Sequence, residues 1–284
     1  MVRIVTVDRF PAPAEEALSL TCEGSSLIGV FHPTAKPHPT VGLIIVVGGP
    51  QYRVGAHRQN VRLARHVAEA GFPVLRFDLR GMGDSEGTAP GFEASRADIT
   101  AALAGLRAWV PSLRQIVAWG LCDGASAVLL DLDHVPLAGA ILVNPWAQEA
   151  EQAPLRDRLY YRGQLRSKAF WGKLLRGDLP WRSALRGLGG LLKRAPRGDE
   201  TAQGGLACRL RAALARHKVP LLVILADQDV TAGLFAASVL GSRRWPGITV
   251  TSLPGADHTF SDPRHEQRLR EITTQWLKAL PPEP

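Results

Sequence analysis

The chain has 284 residues, 45% of them hydrophobic, and carries 34 Lys and Arg against 26 Asp and Glu for a formal charge of +8. That length and apolar content suit one sizeable core and argue against a disordered or fibrous chain. No apolar run approaches the ~20 residues of a membrane span, and the opening Met1–Asp8 stretch lacks the core of a signal peptide. The three cysteines, Cys22, Cys122 and Cys208, are odd in number and have no metal-ligand spacing, which points to free thiols, no metal, and a reducing compartment with the cytoplasm as default.

In chain order, Ala17 to Phe31 reads as a hairpin around Gly24. Val41 to Val47 is a continuous apolar strand, followed by Gly48-Gly49-Pro50-Gln51-Tyr52 and a helical stretch from Ala56 to Ala70. Glycines let this loop approach a ligand closely. Pro50 has no N–H, so an amide offered by the loop would be that of Gln51, with Gly49 as the alternative. His57 beside it reads as a surface residue. A further strand, Val74 to Phe77, runs into Asp78-Leu79-Arg80-Gly81-Met82-Gly83-Asp84-Ser85, where Asp78 and Arg80 read as residues that order a loop.

The most informative segment is Gly120-Leu121-Cys122-Asp123-Gly124, between the strand-like Ile116 to Trp119 and the small-residue helical stretch Ala125 to Leu130. This is the G-x-S-x-G nucleophile elbow with cysteine in the serine position. Glycines on both sides permit a sharp strand-to-helix turn, and the middle residue is forced outward. At a helix N-terminus the sulfur meets unpaired N–H groups and the positive end of the macrodipole, both of which favour thiolate.

Such a nucleophile needs an acid and then a histidine later in the chain. After the apolar strand Ala138 to Val143 and a long intervening segment, the run Leu221 to Ala226 reads as a strand buried on both faces, followed by Asp227 and Asp229. Asp229 is preferred, because three positions beyond the strand it can reach back to an imidazole, whereas Asp227 suits the capping of a turn. The β-prone run Ile248 to Leu253 ends in Pro254-Gly255 and leads to His258, the candidate base. The amide of Asp123, next after the nucleophile, would be one oxyanion donor and that of Gln51 or Gly49 the second. Cys22 reads as packing, and Cys208 carries no motif.

With these motifs in place the chain resembles the α/β-hydrolases, and Asp-x-Arg-Gly-x-Gly-x-Ser at 78–85 is a common form among them. The resemblance implies a mostly parallel sheet with helices on both faces and a helical cap inserted before the acid. The corresponding division is 1–146 as the first part of the core, 147–218 as a basic cap and 219–284 as the second part, closed by a terminal helix near Pro263 to Leu280. Gly-Gly-Pro-Gln-Tyr-Arg-Val-Gly-Ala-His-Arg at 48–58, Gly-Leu-Cys-Asp-Gly-Ala-Ser at 120–126 and Asn-Pro-Trp at 144–146 are similar to the exosortase A system-associated hydrolases. This resemblance implies a bacterial exopolysaccharide or protein-sorting setting. The dienelactone hydrolases also resemble the chain in their elbow cysteine.

The expected activity is a cysteine-nucleophile hydrolase or acyltransferase acting on an ester, thioester or lactone, without a cofactor. A fold retained for binding or scaffolding at a membrane surface, catalytically silent, is the reading from another class. Between residues 151 and 218 the chain places 16 Lys and Arg against 5 Asp and Glu, so this segment carries more than the whole net charge. With Tyr160, Tyr161, Phe170, Trp171 and Trp181 among those cations, it would suit an anionic or coenzyme A-linked acyl substrate, or peripheral contact with an anionic membrane. Glycines at 187, 189 and 190 suggest a movable connection there. No nucleic-acid-binding motif accompanies the charge.

Overall fold

The structure, a computed structural model, describes residues 15–49, 51–147 and 204–282. Strands β1 (Glu16–Cys22) and β2 (Ser25–His32) form an antiparallel hairpin in which Cys22 pairs with Ser25. Glu23 and Gly24 make the turn at φ 46° and 81°, the two positive values that match the twist of a two-residue hairpin. Then follow β3 (Val41–Val46), α1 (Gln59–Glu69), β4 (Val74–Phe77), α2 (Arg96–Trp109), β5 (Gln115–Leu121), α3 (Asp123–Asp131) and β6 (Gly139–Val143). Past the residues outside the description come α4 (Leu206–Arg216), β7 (Leu221–Ala226), α5 (Val230–Phe235), β8 (Ile248–Leu253) and α6 (Pro263–Lys278).

The eight strands form one sheet in the order β1-β2-β4-β3-β5-β6-β7-β8. β2 pairs antiparallel with both β1 and β4, and every other pairing is parallel. The central strands read as unbroken apolar runs because helices cover both faces. Their alternation divides the core in two. Ile44, Val46, Ala118, Leu142 and Val223 pack on one side, and Leu43, Ile45, Val117, Trp119, Ile141 and Ile224 on the other. β8 lies at the edge and leaves Val250 exposed.

Helix α1 starts later than the apolar periodicity implies. His57 and Arg58 take φ of 51° and 62°, so residues 56–58 form a separate turn and regular helix begins at Gln59. α1 is tied to α6 by the Arg62–Glu266 ion pair, with contacts of 2.5 and 2.7 Å. At the start of α6, Asp262 caps the Arg264 amide and Pro263 takes the first helical position, where its missing N–H costs nothing.

The expected cap insertion falls mainly on residues 148–203, outside the described residues, together with its aromatic and glycine positions. Its last part is described: α4 buries Leu206, Leu210 and Leu214 in the same core cluster as the sheet and packs on α3. Among the described residues no helix is long and apolar enough to cross a membrane.

Candidate active site

The parallel strands β5, β6, β7 and β8 all end on the same edge of the sheet, and each hands a functional residue to that edge. At the end of β5 the chain turns into α3 through Cys122, at φ 59° and ψ −126°. A side chain is strained there, and the surroundings hold it in place. The Cys122 amide donates to Val143 O at 2.9 Å, while its carbonyl accepts from Ala125, Ser126 and Trp146 amides at 3.1 to 3.2 Å. Ser126 Oγ adds a 2.6 Å bond to Trp146 O, locking the loop after β6 to the elbow. The flanking glycines meet a spatial demand. A Cβ on Gly124 would lie 2.6 Å from Val46 O, and one on Gly120 would lie 2.6 Å from the Ala125 nitrogen.

β7 leads to the candidate acid. Asp229 caps α5, accepting from Thr231 and Ala232 amides at 3.0 and 3.2 Å, and the same carboxylate meets His258 Nδ1 at 2.7 Å. Asp227 does something else: it accepts from the Gly255 amide at 2.6 Å and so shapes the turn after β8. Of the two carboxylates left open by the sequence, Asp229 therefore faces the imidazole. Its side chain is 6% exposed and that of His258 33%.

The cysteine also acts on the imidazole. His258 is pushed up to about 10 from its usual value near 6.5. The hydrogen bond to Asp229 contributes most, followed by the hydrogen bond to the Cys122 side chain, and burial opposes both. The structure thus holds His258 against Asp229 at 2.7 Å, with the Cys122 side chain near enough to favour the charged ring.

Asn144 was not singled out by sequence reasoning, although it lies in the Asn-Pro-Trp motif. It is fully buried at φ 43° and joins the three strand ends. Its amide donates to Ile224 O at 2.9 Å, its Nδ2 to His258 O at 3.0 Å, and its Oδ1 accepts from Ala226 N at 2.8 Å. An asparagine just past an apolar strand looks like an ordinary turn residue, so the sequence gives no sign of this bridging.

The preferred second oxyanion amide needs correction. Gln51 N–H donates to Gly49 O at 2.8 Å within its own loop and is not free to face the elbow. The alternative, Gly49, lies against the side chain of Asp123, and its amide, with those of Gly124 and Asp123 itself, favours the charged carboxylate. Burial raises the carboxyl pKa of Asp123 above its ordinary value, and those three amides and the nearby His258 pull against the rise.

Asp78 and Arg80 order loops as expected. Buried Asp78 accepts from the Arg53 amide at 2.5 Å and pairs with its guanidinium, fixing the loop that carries Gly49 and Gln51. Tyr52 Oη adds a 2.8 Å bond to Asp84. Arg80 grips buried Asp98 at 3.1 Å. His57 is exposed. Cys22 is buried among core residues and Cys208 is exposed. Among the described residues no group of three or more His, Cys, Asp or Glu is placed to hold a metal ion.

Solved structures share this architecture at low identity. An esterase of Pyrococcus furiosus superposes with a TM-score of 0.65 at 17% identity, over 97% of this chain and 96% of that one. Est1E from Butyrivibrio proteoclasticus, solved with ferulic acid, gives 0.62 at 17% identity over 93% and 99%. A dienelactone hydrolase from Anabaena variabilis gives 0.62 at 14% identity over 95% and 99%. No curated protein matches the chain. The model of the Alpha/beta hydrolase family matches residues 43–272, a span holding the elbow, the acid and the histidine, and the chain belongs to that family.

Proposed function

We propose that the protein is a cysteine-nucleophile hydrolase or acyltransferase acting on an ester, thioester or lactone, with Cys122 as nucleophile, His258 as acid and base, and Asp229 as the group that orients the ring. The single observation that carries this reading is the His258 imidazole 2.7 Å from the Asp229 carboxylate at the sheet edge that also carries the Cys122 elbow. In the reacting form the sulfur is a thiolate beside an imidazolium. The sulfur forms a bond to the acyl carbon, and the carbonyl electron pair moves onto oxygen, which is met by the amides of Asp123 and Gly49. Collapse of this intermediate expels the alkoxide or thiolate leaving group, which takes the proton from His258 Nε2. Neutral His258 then draws a proton from water, or from a second hydroxyl, as that oxygen attacks the thioester. The acyl product leaves, and the thiolate and imidazolium are restored.

Asp229 keeps the Nδ1–H tautomer in place, so that Nε2 is the nitrogen that exchanges protons with sulfur and substrate. Thiolates leave more readily than amines from a tetrahedral intermediate, which favours esters, thioesters and lactones over amides. The basic segment between residues 151 and 218 favours an anionic or coenzyme A-linked acyl donor and contact with an anionic membrane surface. The similarity of the 48–58, 120–126 and 144–146 motifs to exosortase A system-associated hydrolases suggests work in the cytoplasm beside a bacterial exopolysaccharide system. The elbow cysteine also keeps dienelactone hydrolase-like chemistry in view as one form of lactone cleavage.

Incubation with activated esters followed by intact-protein mass spectrometry tests the assignment. An acyl adduct is expected in the wild type and absent from Cys122→Ala; an adduct that persists in the variant refutes it. A silent scaffold draws support from the Asp123 carboxylate beside those amides. Iodoacetamide separates the two readings: a catalytic thiolate is alkylated far faster than Cys22 or Cys208, whereas comparable rates at Cys122 and exposed Cys208 favour the scaffold.

A further inference from the structure

The amides required by the proposed reaction already lie beside a carboxylate. The first turn of α3 leaves the N–H groups of Asp123 and Gly124 without carbonyl partners, as every helix start does. The Asp123 carboxylate is seated against Gly48 and Gly49 in the loop after β3, and the amides of Asp123, Gly124 and Gly49 all favour its charged form. The glycines show how closely this carboxylate is seated. A Cβ on Gly48 would stand 1.8 Å from Asp123 Oδ1, and one on Gly49 would stand 2.9 Å from Oδ2. An aspartate that served α3 alone would require no such clearance in a loop on a different strand. A helix-capping side chain belongs to the residue before the first turn, and here that residue is Cys122. The carboxylate of Asp123 instead spans from the elbow to the opposite loop, with His258 as the titratable group facing it.

We propose that Asp123 is an internal competitor for the oxyanion pocket: its carboxylate fills the Asp123 and Gly49 amides in the resting protein, and an acyl group gains them only by displacing it. This rests on Cys122 being the attacking group. A carboxylate is a stronger acceptor than a neutral carbonyl, so a bound ester by itself competes poorly for these amides. The full charge of the tetrahedral oxygen competes on equal terms. The device suppresses acylation by small activated acyl compounds and reserves the reaction for a substrate whose remaining contacts supply the displacement.

The test compares two reactions of the same sulfur. With p-nitrophenyl acetate, a sulfur–carbon bond forms, the aryl carbon–oxygen bond breaks and p-nitrophenolate leaves, passing through an oxyanion. With iodoacetamide, sulfur displaces iodide at a saturated carbon and no oxyanion develops. Rates of both are followed at Cys122 by mass spectrometry near neutral pH in the wild type, Asp123→Ala and Asp123→Asn. Acylation is expected to rise about tenfold or more in Asp123→Ala while alkylation changes by less than about threefold. The near-isosteric Asp123→Asn should accelerate acylation by a smaller factor, and it carries the comparison if the alanine variant does not fold. Sodium acetate should slow acylation of Asp123→Ala toward the wild-type rate and leave the wild type unmoved, with sodium chloride as the ionic-strength control.

Unchanged or slower acylation in both variants, with the adduct still on Cys122, overturns the competitor role and leaves the nucleophile standing. Equal acceleration of acylation and alkylation also overturns it, because Asp123 would then act on the sulfur and not on the amides. Absence of a Cys122 adduct in all three proteins refutes the nucleophile and, with it, the competitor.

Discussion

His258 concentrates the electrostatics of the site in one ring. Asp229 and the Cys122 side chain favour its protonated form and lift its pKa to about 10, against the opposing effect of burial. A raised folded-state pKa means that the native protein holds this proton more tightly than the unfolded chain. The associated stability is fully present below about 6.5, the unfolded value, and is lost as pH rises through about 10. Urea unfolding followed from near-neutral to alkaline pH should therefore show a falling midpoint in the wild type, and a flatter profile in His258→Gln. Equal slopes in the two proteins would count against the imidazolium. In the first, the ring loses its proton across that interval; in the second, there is no ring to titrate.

The elements around the ring act by ending together. β5, β6 and β7 are parallel and adjacent, so the elbow, Asn144 and the start of the Asp229 loop emerge side by side, and β8 adds the loop of His258. Asn144 converts this proximity into fixed geometry by bonding Ala226 ahead of the acid and the carbonyl of His258 itself. Asn144→Ala leaves the buried Ala226 amide without a partner and should destabilise the protein by about 1–3 kcal/mol. Acylation of Cys122 should slow as well, while Asn144→Asp restores the acceptor to Ala226 but not the donor to His258. Chemical denaturation and single-turnover acylation read the two effects separately. A variant with lowered stability and wild-type acylation would assign Asn144 to the fold alone.

At the scale of the whole molecule, the two-sided core sets which segments are indispensable. α4 lies within the long basic segment between residues 151 and 218, yet Leu210 and Leu214 are fully buried against α3 and the sheet. Leu210→Ala should cost about 2–5 kcal/mol by thermal or urea unfolding, the range for a large-to-small change in a packed core. A negligible loss would show that α4 contributes little to the core. Much of this frame was legible in the chain. Apolar runs at 41–47, 138–143 and 221–226 mark strands covered on both faces, because burial on two sides favours apolar residues at successive positions, and buried Arg76 in β4 is the exception, held by His32. The elbow was legible too, because glycines at 120 and 124 answer a local crowding that any sequence making this turn must meet. What the sequence could not decide was which groups meet across loops. Asp227 and Asp229 are chemically alike and two residues apart, and their division of labour follows from where β8 places Gly255 and His258. Gln51 was the natural choice of donor beside a proline, but its amide is spent inside its own turn. The bridging by Asn144 and the seating of Asp123 between two strand ends belong to the same class. Patterning by burial and backbone sterics is local and is written into the order of residues, whereas hydrogen bonds between segments far apart in the chain exist only once packing has fixed distances and directions.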